Sequence, residues 1–239
     1  MQTSTNAIVL SKLKYRDNDL IVKCYTQKHG VVSFLVRGAF KAKKTTNKAA
    51  YFQLLSQLQI VFNYSKNKTL YAAKEVRLNA VYQSLQTNVL KGAVVIFLSE
   101  ILNSTLHEEE KNEELYSFLE ASLLWFDVTP ASPNFHLLFL LKLTKYLGFY
   151  PDTSQSDFEN FDLQSGSFQP NNLGKHNVSG ENLILLKRLL GTTFDALDSI
   201  KINSQKRQHF LNMMLQYFEL HLGSFKTPKS LQVFNQVFK

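Results

Sequence analysis

The sequence predicts a mixed α+β, multi-domain protein. A small five-stranded β-barrel spans residues 1–79, and an all-α helical domain follows over 80–239, with an irregular insert at about 151–180. Three observations carry this reading. Apolar and polar residues alternate over the first 78 residues, with turn punctuation between the runs. From about residue 80 the apolar spacing changes to three and four. Between 151 and 180 neither period holds, and Asp, Ser, Asn and Gly are frequent. The 239 residues, 44% apolar and 19% charged, suffice for one or two cores and exclude disorder for the bulk of the chain.

The barrel strands follow in order. Ala7-Ile8-Val9-Leu10 is apolar and leads to the polar turn Lys14-Tyr15-Arg16-Asp17-Asn18. Residues 20–25 form the next run, closed by Gln27-Lys28-His29-Gly30. Val32, Phe34 and Val36 then alternate with Ser33, Leu35 and Arg37. Leu58, Ile60 and Phe62 alternate with Gln57, Gln59 and Val61. A polar turn at 63–68 precedes a last extended run at 69–76. Five strands with a longer gap after the third is the layout of an OB-fold, although periodicity alone does not separate it from other small barrels.

The helices follow with equal regularity. Leu90, Val94, Phe97 and Ile101 share one face, widened by Ala93, Leu98 and Leu102, as expected of a helix inside a bundle. Leu115, Phe118, Leu119, Ser122 and Trp125 mark a second helix, with Glu108, Glu109, Glu110, Glu113 and Glu114 around its start, where acids favour the helix dipole. Pro133 suits the first turn of a third helix, which ends at Gly148 before Pro151. In the insert a hairpin is expected around Gln164-Ser165-Gly166-Ser167. Helical patterning returns at 181–190 and at 205–222, where Phe210, Met214, Tyr217 and Phe218 share a face.

Much chemistry is missing. The nine glycines are scattered, and neither G-x-x-x-x-G-K-[ST] nor G-x-G-x-x-G occurs to cradle a phosphate. The six histidines form no H-x-x-x-H or H-x-H pair, so no metal or cofactor is expected. Cys24, the single cysteine, sits in an apolar strand and reads as a core thiol. The acids at 108–114 read as a solvated helix start. No constellation supports an enzyme. The start Met1-Gln2-Thr3-Ser4-Thr5 has no signal-peptide character. The longest pure apolar run, 93–98, is far short of the roughly 20 residues of a membrane span, so a cytoplasmic protein without membrane contact is expected.

The net charge of +8 is unevenly divided. Residues 1–79 hold 14 Lys and Arg against Asp17, Asp19 and Glu75, a net +11; the remainder carries −3. The densest stretch runs from Arg37 to Lys48, with Lys41, Lys43 and Lys44 between them and no acid. Such a segment suits a phosphate backbone through counterion release, and the guanidinium of Arg37 can fork a phosphate or stack on a base. Lys12, Lys14 and Arg16 lie in the first turn of the barrel, and Lys66 and Lys68 in the last. In an OB-fold these turns border the nucleic-acid groove. Tyr15 and Tyr64 sit in the same turns as stacking platforms. One lysine alone is surface charge. Eleven net positive charges in 79 residues repel one another unless an anion is bound.

Several segments together resemble one family. Thr5-Asn6-Ala7-Ile8-Val9-Leu10, Tyr15-Arg16-Asp17-Asn18-Asp19-Leu20-Ile21-Val22, Tyr25-Thr26-Gln27-Lys28-His29-Gly30 and Val36-Arg37-Gly38-Ala39 with the lysines after it resemble, in order and spacing, the amino-terminal domain of the bacterial recombination mediator RecO family. Phe52-Gln53-Leu54-Leu55 and 70–76 fit its later strands. Tyr146-Leu147-Gly148-Phe149-Tyr150-Pro151 fits the end of a helix in its helical domain. His221-Leu222-Gly223-Ser224 and Pro228-Lys229-Ser230-Leu231 fit its carboxy-terminal signature. The resemblance covers nearly the whole chain.

The resemblance implies a cytoplasmic, nucleoid-associated DNA-repair protein that is not an enzyme. Such proteins bind single- and double-stranded DNA through the OB-fold and anneal complementary strands. With RecR, and in many bacteria RecF, they load RecA onto DNA covered by single-strand-binding protein (SSB). In some members the SSB C-terminal tail docks on the helical domain. Two departures stand out. Many members carry a four-cysteine zinc module where this chain has its insert at about 151–180. The insert has no cysteine, so no zinc is expected, and its phenylalanines are expected to fill that space. The SSB-tail site of some members uses basic residues near the start of the helix ending at Gly148. Here that stretch is Asn134-Phe135-His136-Leu137-Leu138-Phe139, which leaves His136, Lys142 and Lys145 to edge a partner groove, against core packing of Leu137, Phe139 and Leu140. The alternative from another class is a non-enzymatic OB-fold adaptor that binds RNA or an acidic protein segment.

Overall fold

The computed structural model describes residues 1–41, 48–107, 111–171 and 174–238. It is a mixed α+β chain that divides into two compact units, residues 1–130 with 228–230, and 131–227 with 231–239.

The first unit opens with β1 (Gln2–Tyr15), β2 (Asp19–Thr26) and β3 (Gly30–Val36), continues through a 3-10 turn (Lys48–Tyr51) to β4 (Gln57–Asn63), and ends its sheet with β5 (Leu70–Ala72) and β6 (Glu75–Leu78). The strand order is β5-β3-β2-β1-β4-β6. The two edge strands are therefore consecutive pieces of one segment, separated by Ala73 and Lys74. The Ala73 N–H donates to the Leu35 carbonyl on β3, and the Lys74 N–H to the Val61 carbonyl on β4. One segment thus ties both edges of a curled sheet together.

Five strands were expected and six are present, because the run at 69–76 changes partner midway. Its first half pairs with β3 in parallel and its second with β4 antiparallel, leaving two short ladders. Inside the curl lie Ala7, Val9, Leu20, Val22, Cys24, Val32, Phe34, Val36, Leu58, Ile60 and Phe62. These are the inward positions that period two marks. Burial pushes the Cys24 thiol pKa up, as an inert core thiol requires.

Two helices complete this unit, α1 (Val89–Thr105) and α2 (Glu113–Val128). Asn88 and Asn112 cap them, each side chain accepting from the backbone N–H three residues on. Ile8, Tyr25 and Val31 are cross-strand neighbours on the outer face of the sheet, and all three are buried. The Tyr25 hydroxyl donates to the Asn112 carbonyl, and its ring stacks on Tyr116 of α2 at 6.2 Å. Ser230 returns to this unit by donating both its N–H and its hydroxyl to Glu100.

The second unit contains α3 (Phe135–Tyr146), the short strands β7 (Asn160–Asp162), β8 (Ser167–Gln169) and β9 (Asn177–Val178), α4 (Gly180–Leu190), α5 (Ser204–His221) and α6 (Leu231–Val237). Asn134, not Pro133, holds the N-cap position of α3, so the proline precedes the helix instead of opening it. Gly148 follows the last turn at φ +85°, a conformation that favours glycine, and the Phe149 N–H closes back on the Thr144 carbonyl.

The insert is more regular than expected. The hairpin at 164–167 forms, but β9 adds a third strand in the order β8-β7-β9. Phe161 and Phe168 pair across β7 and β8 with ring centroids 5.0 Å apart, and Leu163 and Val178 are buried with them. The insert supplies no thiolate set for a zinc ion; an aromatic cluster occupies its centre instead. No helix among the described residues is long and apolar enough to cross a membrane.

Candidate nucleic-acid interface

The β1–β2 turn and the segment after β3 are held together by the backbone. The Gly38 N–H donates to Asp19 Oδ1 at 2.8 Å, and the Phe40 N–H to the Asn18 carbonyl at 3.1 Å. Gly38 sits at φ +64°. A side chain there would be strained, so the sharp turn that brings Arg37 and Lys41 beside the first hairpin needs glycine. The Ala49 N–H donates to the Ala39 carbonyl and adds Lys48 to the same end.

Lys12, Lys14, Tyr15, Arg16, Arg37, Lys41 and Lys48 are all exposed there. Lys12 reaches Gln53 Oε1 at 2.9 Å, and partial burial pulls its pKa below the usual lysine range. Lys14 Nζ stands 6.0 Å over the Phe40 ring, and the Arg16 guanidinium 5.2 Å over Tyr15. Lys43 and Lys44 lie outside the described residues.

Lys66 and Lys68 do not join this group. Gln2 at the start of β1 pairs with Asn63, the last residue before their loop, whereas Tyr15 at its end pairs with Asp19. The two turns therefore stand at opposite ends of a 14-residue strand, about 40 Å apart along its path. Tyr64 is not an open stacking platform. Its half-buried ring stacks on His29 at 4.2 Å and lies parallel to Tyr71 at 5.9 Å, inside the protein's own aromatic cluster. A ring engaged this way cannot receive a base without rearrangement.

Sequence reasoning missed the surface between these ends. The register aligns Leu13, Ile21, Leu35 and Ala72 in one row across four strands. Leu13 and Ala72 are exposed, and Ile21 and Leu35 are half-buried. The adjacent row is Ser11, Lys23, Ser33 and Leu70. The alternation marks these residues as outward, but only the register reveals that their apolar members line up. Lys12 and Lys14 alternate with Leu13 and pair with the inward-facing Val22 and Leu20, so they lie on the opposite face of the sheet from this apolar row.

In the second unit the residues chosen for a partner separate. His136 has no exposed surface. It packs edge-on against Phe234 at 4.8 Å and lies 5.7 Å from Phe238, so it edges no groove. Burial, helped by the charge of Arg207, lowers its pKa to about 3 and keeps the ring neutral. Lys142 is half-buried and Lys145 exposed on the same helix. A different groove, between α4 and α5, holds Ile184 and Leu185 among Glu181, Arg188, Lys201 and Lys206, with Lys206 paired to Glu181 at 2.7 Å. Among the described residues no three His, Cys, Asp or Glu side chains gather as a metal site would require.

A two-unit α+β chain with a basic curled sheet and a helical second part is thus the class that the geometry defines. Two family models cover almost all of it: residues 1–82 match Recombination protein O N terminal, and residues 86–231 match Recombination protein O C terminal. The chain is 45% identical to the DNA repair protein RecO of Christiangramia forsetii over 238 residues, with all of both chains covered. It is 42% identical to that of Flavobacterium psychrophilum and 32% identical to that of Bacteroides fragilis, again with full coverage of each. The chain belongs to the RecO family. Its role is in DNA repair and recombination.

Proposed function

We propose that this chain is a non-enzymatic recombination mediator. Its first part binds single- and double-stranded DNA and anneals complementary strands. With RecR, and RecF where present, it loads RecA onto SSB-coated DNA in the cytoplasm, at the nucleoid. We read the curled sheet as an OB-fold whose fifth strand is split at Ala73-Lys74. Residues 1–79 are the nucleic-acid module in this reading. Residues 80–239 are the helical part, with α1 and α2 packed onto the barrel.

One observation supports it above the others. Lys12, Lys14, Arg16, Arg37, Lys41 and Lys48 meet at one end of the sheet. Six cations crowded this way are stabilised by a polyanion. Lys43 and Lys44 extend the same phosphate contact, and Lys66 and Lys68 offer a second one at the far end of β1. Lys142 and Lys145 remain candidates for the SSB tail. The groove between α4 and α5 sets Arg188 and Lys201 beside the exposed Ile184 and is a second candidate for an acidic, apolar-ended peptide, although its Lys206 is already paired with Glu181.

The test is annealing of complementary strands coated with the cognate SSB. Acceleration by the purified protein is expected. The competing reading, an adaptor for RNA or an acidic protein segment, is separated by filter binding of single-stranded DNA, RNA and an acidic peptide. A clear preference for the peptide contradicts DNA mediation.

A further inference from the structure

The apolar row ends in a cavity. Leu35 and Ala72, its last two members, also line a recess of about 370 Å³ formed by Val36 at the end of β3, Arg37 just after it, Lys48, Tyr51 and Phe52, and the kink at Ala73 and Lys74. The floor is apolar, with Phe52 fully buried. Tyr51 packs on the barrel core and lines the recess. Arg37, Lys48 and Lys74 are exposed at its margin, and no carboxylate lines it among the described residues. The volume is in the range of small-ligand pockets, about 300–1,000 Å³. An apolar slot with one aromatic wall and three cations around it matches a planar base with a phosphate on either side.

We infer that this recess takes a single nucleotide of the bound strand, its base against Tyr51 and its flanking phosphates on Arg37, Lys48 and Lys74. The inference rests on the DNA-binding reading above and deepens it. The split of the last strand acquires a purpose here. Ala73 and Lys74, the two residues of the split, both line the recess. Lys74 keeps its backbone bond to Val61 and is exposed at the margin, with its ammonium 3.4 Å from Gln2 Oε1.

The source of the nucleotide and the use of the recess are tested together by fluorescence anisotropy on the full chain. The probes are a 20-mer of thymidine, an abasic 20-mer with the same phosphates, and free thymidine monophosphate. The wild-type protein is expected to prefer the thymidine 20-mer over the abasic one by about fivefold or more. Ala73→Leu, which fills the recess while leaving the backbone bond to Leu35, should erase that preference and leave the abasic affinity unchanged. Thermal melting reports whether this variant folds. Tyr51→Phe should retain the preference. Lys48→Gln with Lys74→Gln, both at the surface, should weaken the two oligomers equally and reduce the salt dependence.

A folded Ala73→Leu protein that keeps the full preference overturns the inference. So does saturable binding of the free monophosphate that Ala73→Leu abolishes while the oligomer preference survives, because the recess then serves a free nucleotide. If the wild-type protein binds neither oligomer, the DNA-binding reading fails and the inference falls with it. If it binds both equally, only the inference falls.

Discussion

Lys91 donates to the main-chain carbonyl of Asp127 at 2.8 Å and leaves the carboxylate of that residue to other donors. The carboxylate accepts from three successive backbone N–H groups, those of Gln83, Ser84 and Leu85, at 2.8 to 2.9 Å. Lys91 also reaches Ser84 Oγ and the Thr129 carbonyl. The chain between β6 and α1 is thereby fastened to the last turn of α2.

Asp127→Ala strands three N–H groups and is expected to cost about 3–5 kcal/mol of stability by urea unfolding. Lys91→Met, which keeps the apolar stem, should cost less. Burial pushes the Asp127 carboxyl upward, but the three N–H donors and Ser84 outweigh it, so its pKa is held below 3.8. A depressed carboxylate contributes stability above its unfolded pKa and loses it as pH falls through the folded one. The gap between wild type and Asp127→Ala should therefore be full at neutral pH and close below about pH 4.

His136 gives the second unit a different acid response. Its folded pKa of about 3 lies below the ordinary 6.5, so the unfolded chain takes up a proton first. Stability of this unit should be intact above pH 6.5 and fall between 6.5 and about 3. His136→Phe, which keeps a ring against Phe234, should flatten that window in a pH series of melting curves. An unchanged slope would place the lability elsewhere.

The insert should depend on its rings and not on an ion. Phe161 contacts Phe168 at 5.0 Å and Tyr217 at 5.9 Å. Phe161→Ala is expected to cost about 3–5 kcal/mol. A chelator should leave the wild-type melting curve unmoved. Gly166 tests the same packing from outside. At φ +67° a Cβ there would lie 2.7 Å from the Tyr217 hydroxyl oxygen, so Gly166→Ala should destabilise as well.

The two basic turns should behave separately. Reversing Lys12, Lys14 and Arg16 to Glu is expected to weaken single-stranded DNA binding about a hundredfold at low salt. Reversing Lys66 and Lys68, at the far end of β1, should have a smaller effect that adds to the first without coupling. Titrations of the two variants and their combination decide this.

Much of the fold was legible from period and punctuation. Val32, Phe34 and Val36 face inward as their alternation requires, and Gly148 ends α3 where the helix stops. What escaped reading depends on pairing between distant segments. Residues 69–76 look like one strand until β3 and β4 are both present to compete for its two halves. Leu13, Ile21, Leu35 and Ala72 become a row only through register. Lys91 looks like a solvent residue in an apolar helix, yet it is 3% exposed because carbonyls from the end of α2 meet its ammonium group. The charge arithmetic places the excess of cations in residues 1–79 but could not separate the two ends of the sheet that carry them, because composition carries no information on which turns are neighbours. α6 was missed because its seven residues show a single buried anchor, Phe234.

The most direct test is the slope of log affinity against log salt for a thymidine 20-mer, wild type against Lys41→Glu, Lys43→Glu, Lys44→Glu and Lys48→Glu combined. The basic end of the barrel as the DNA site predicts a steep wild-type slope, about 0.7 per phosphate engaged, and a variant that binds weakly with a shallow slope. A folded variant with wild-type affinity and slope would contradict it.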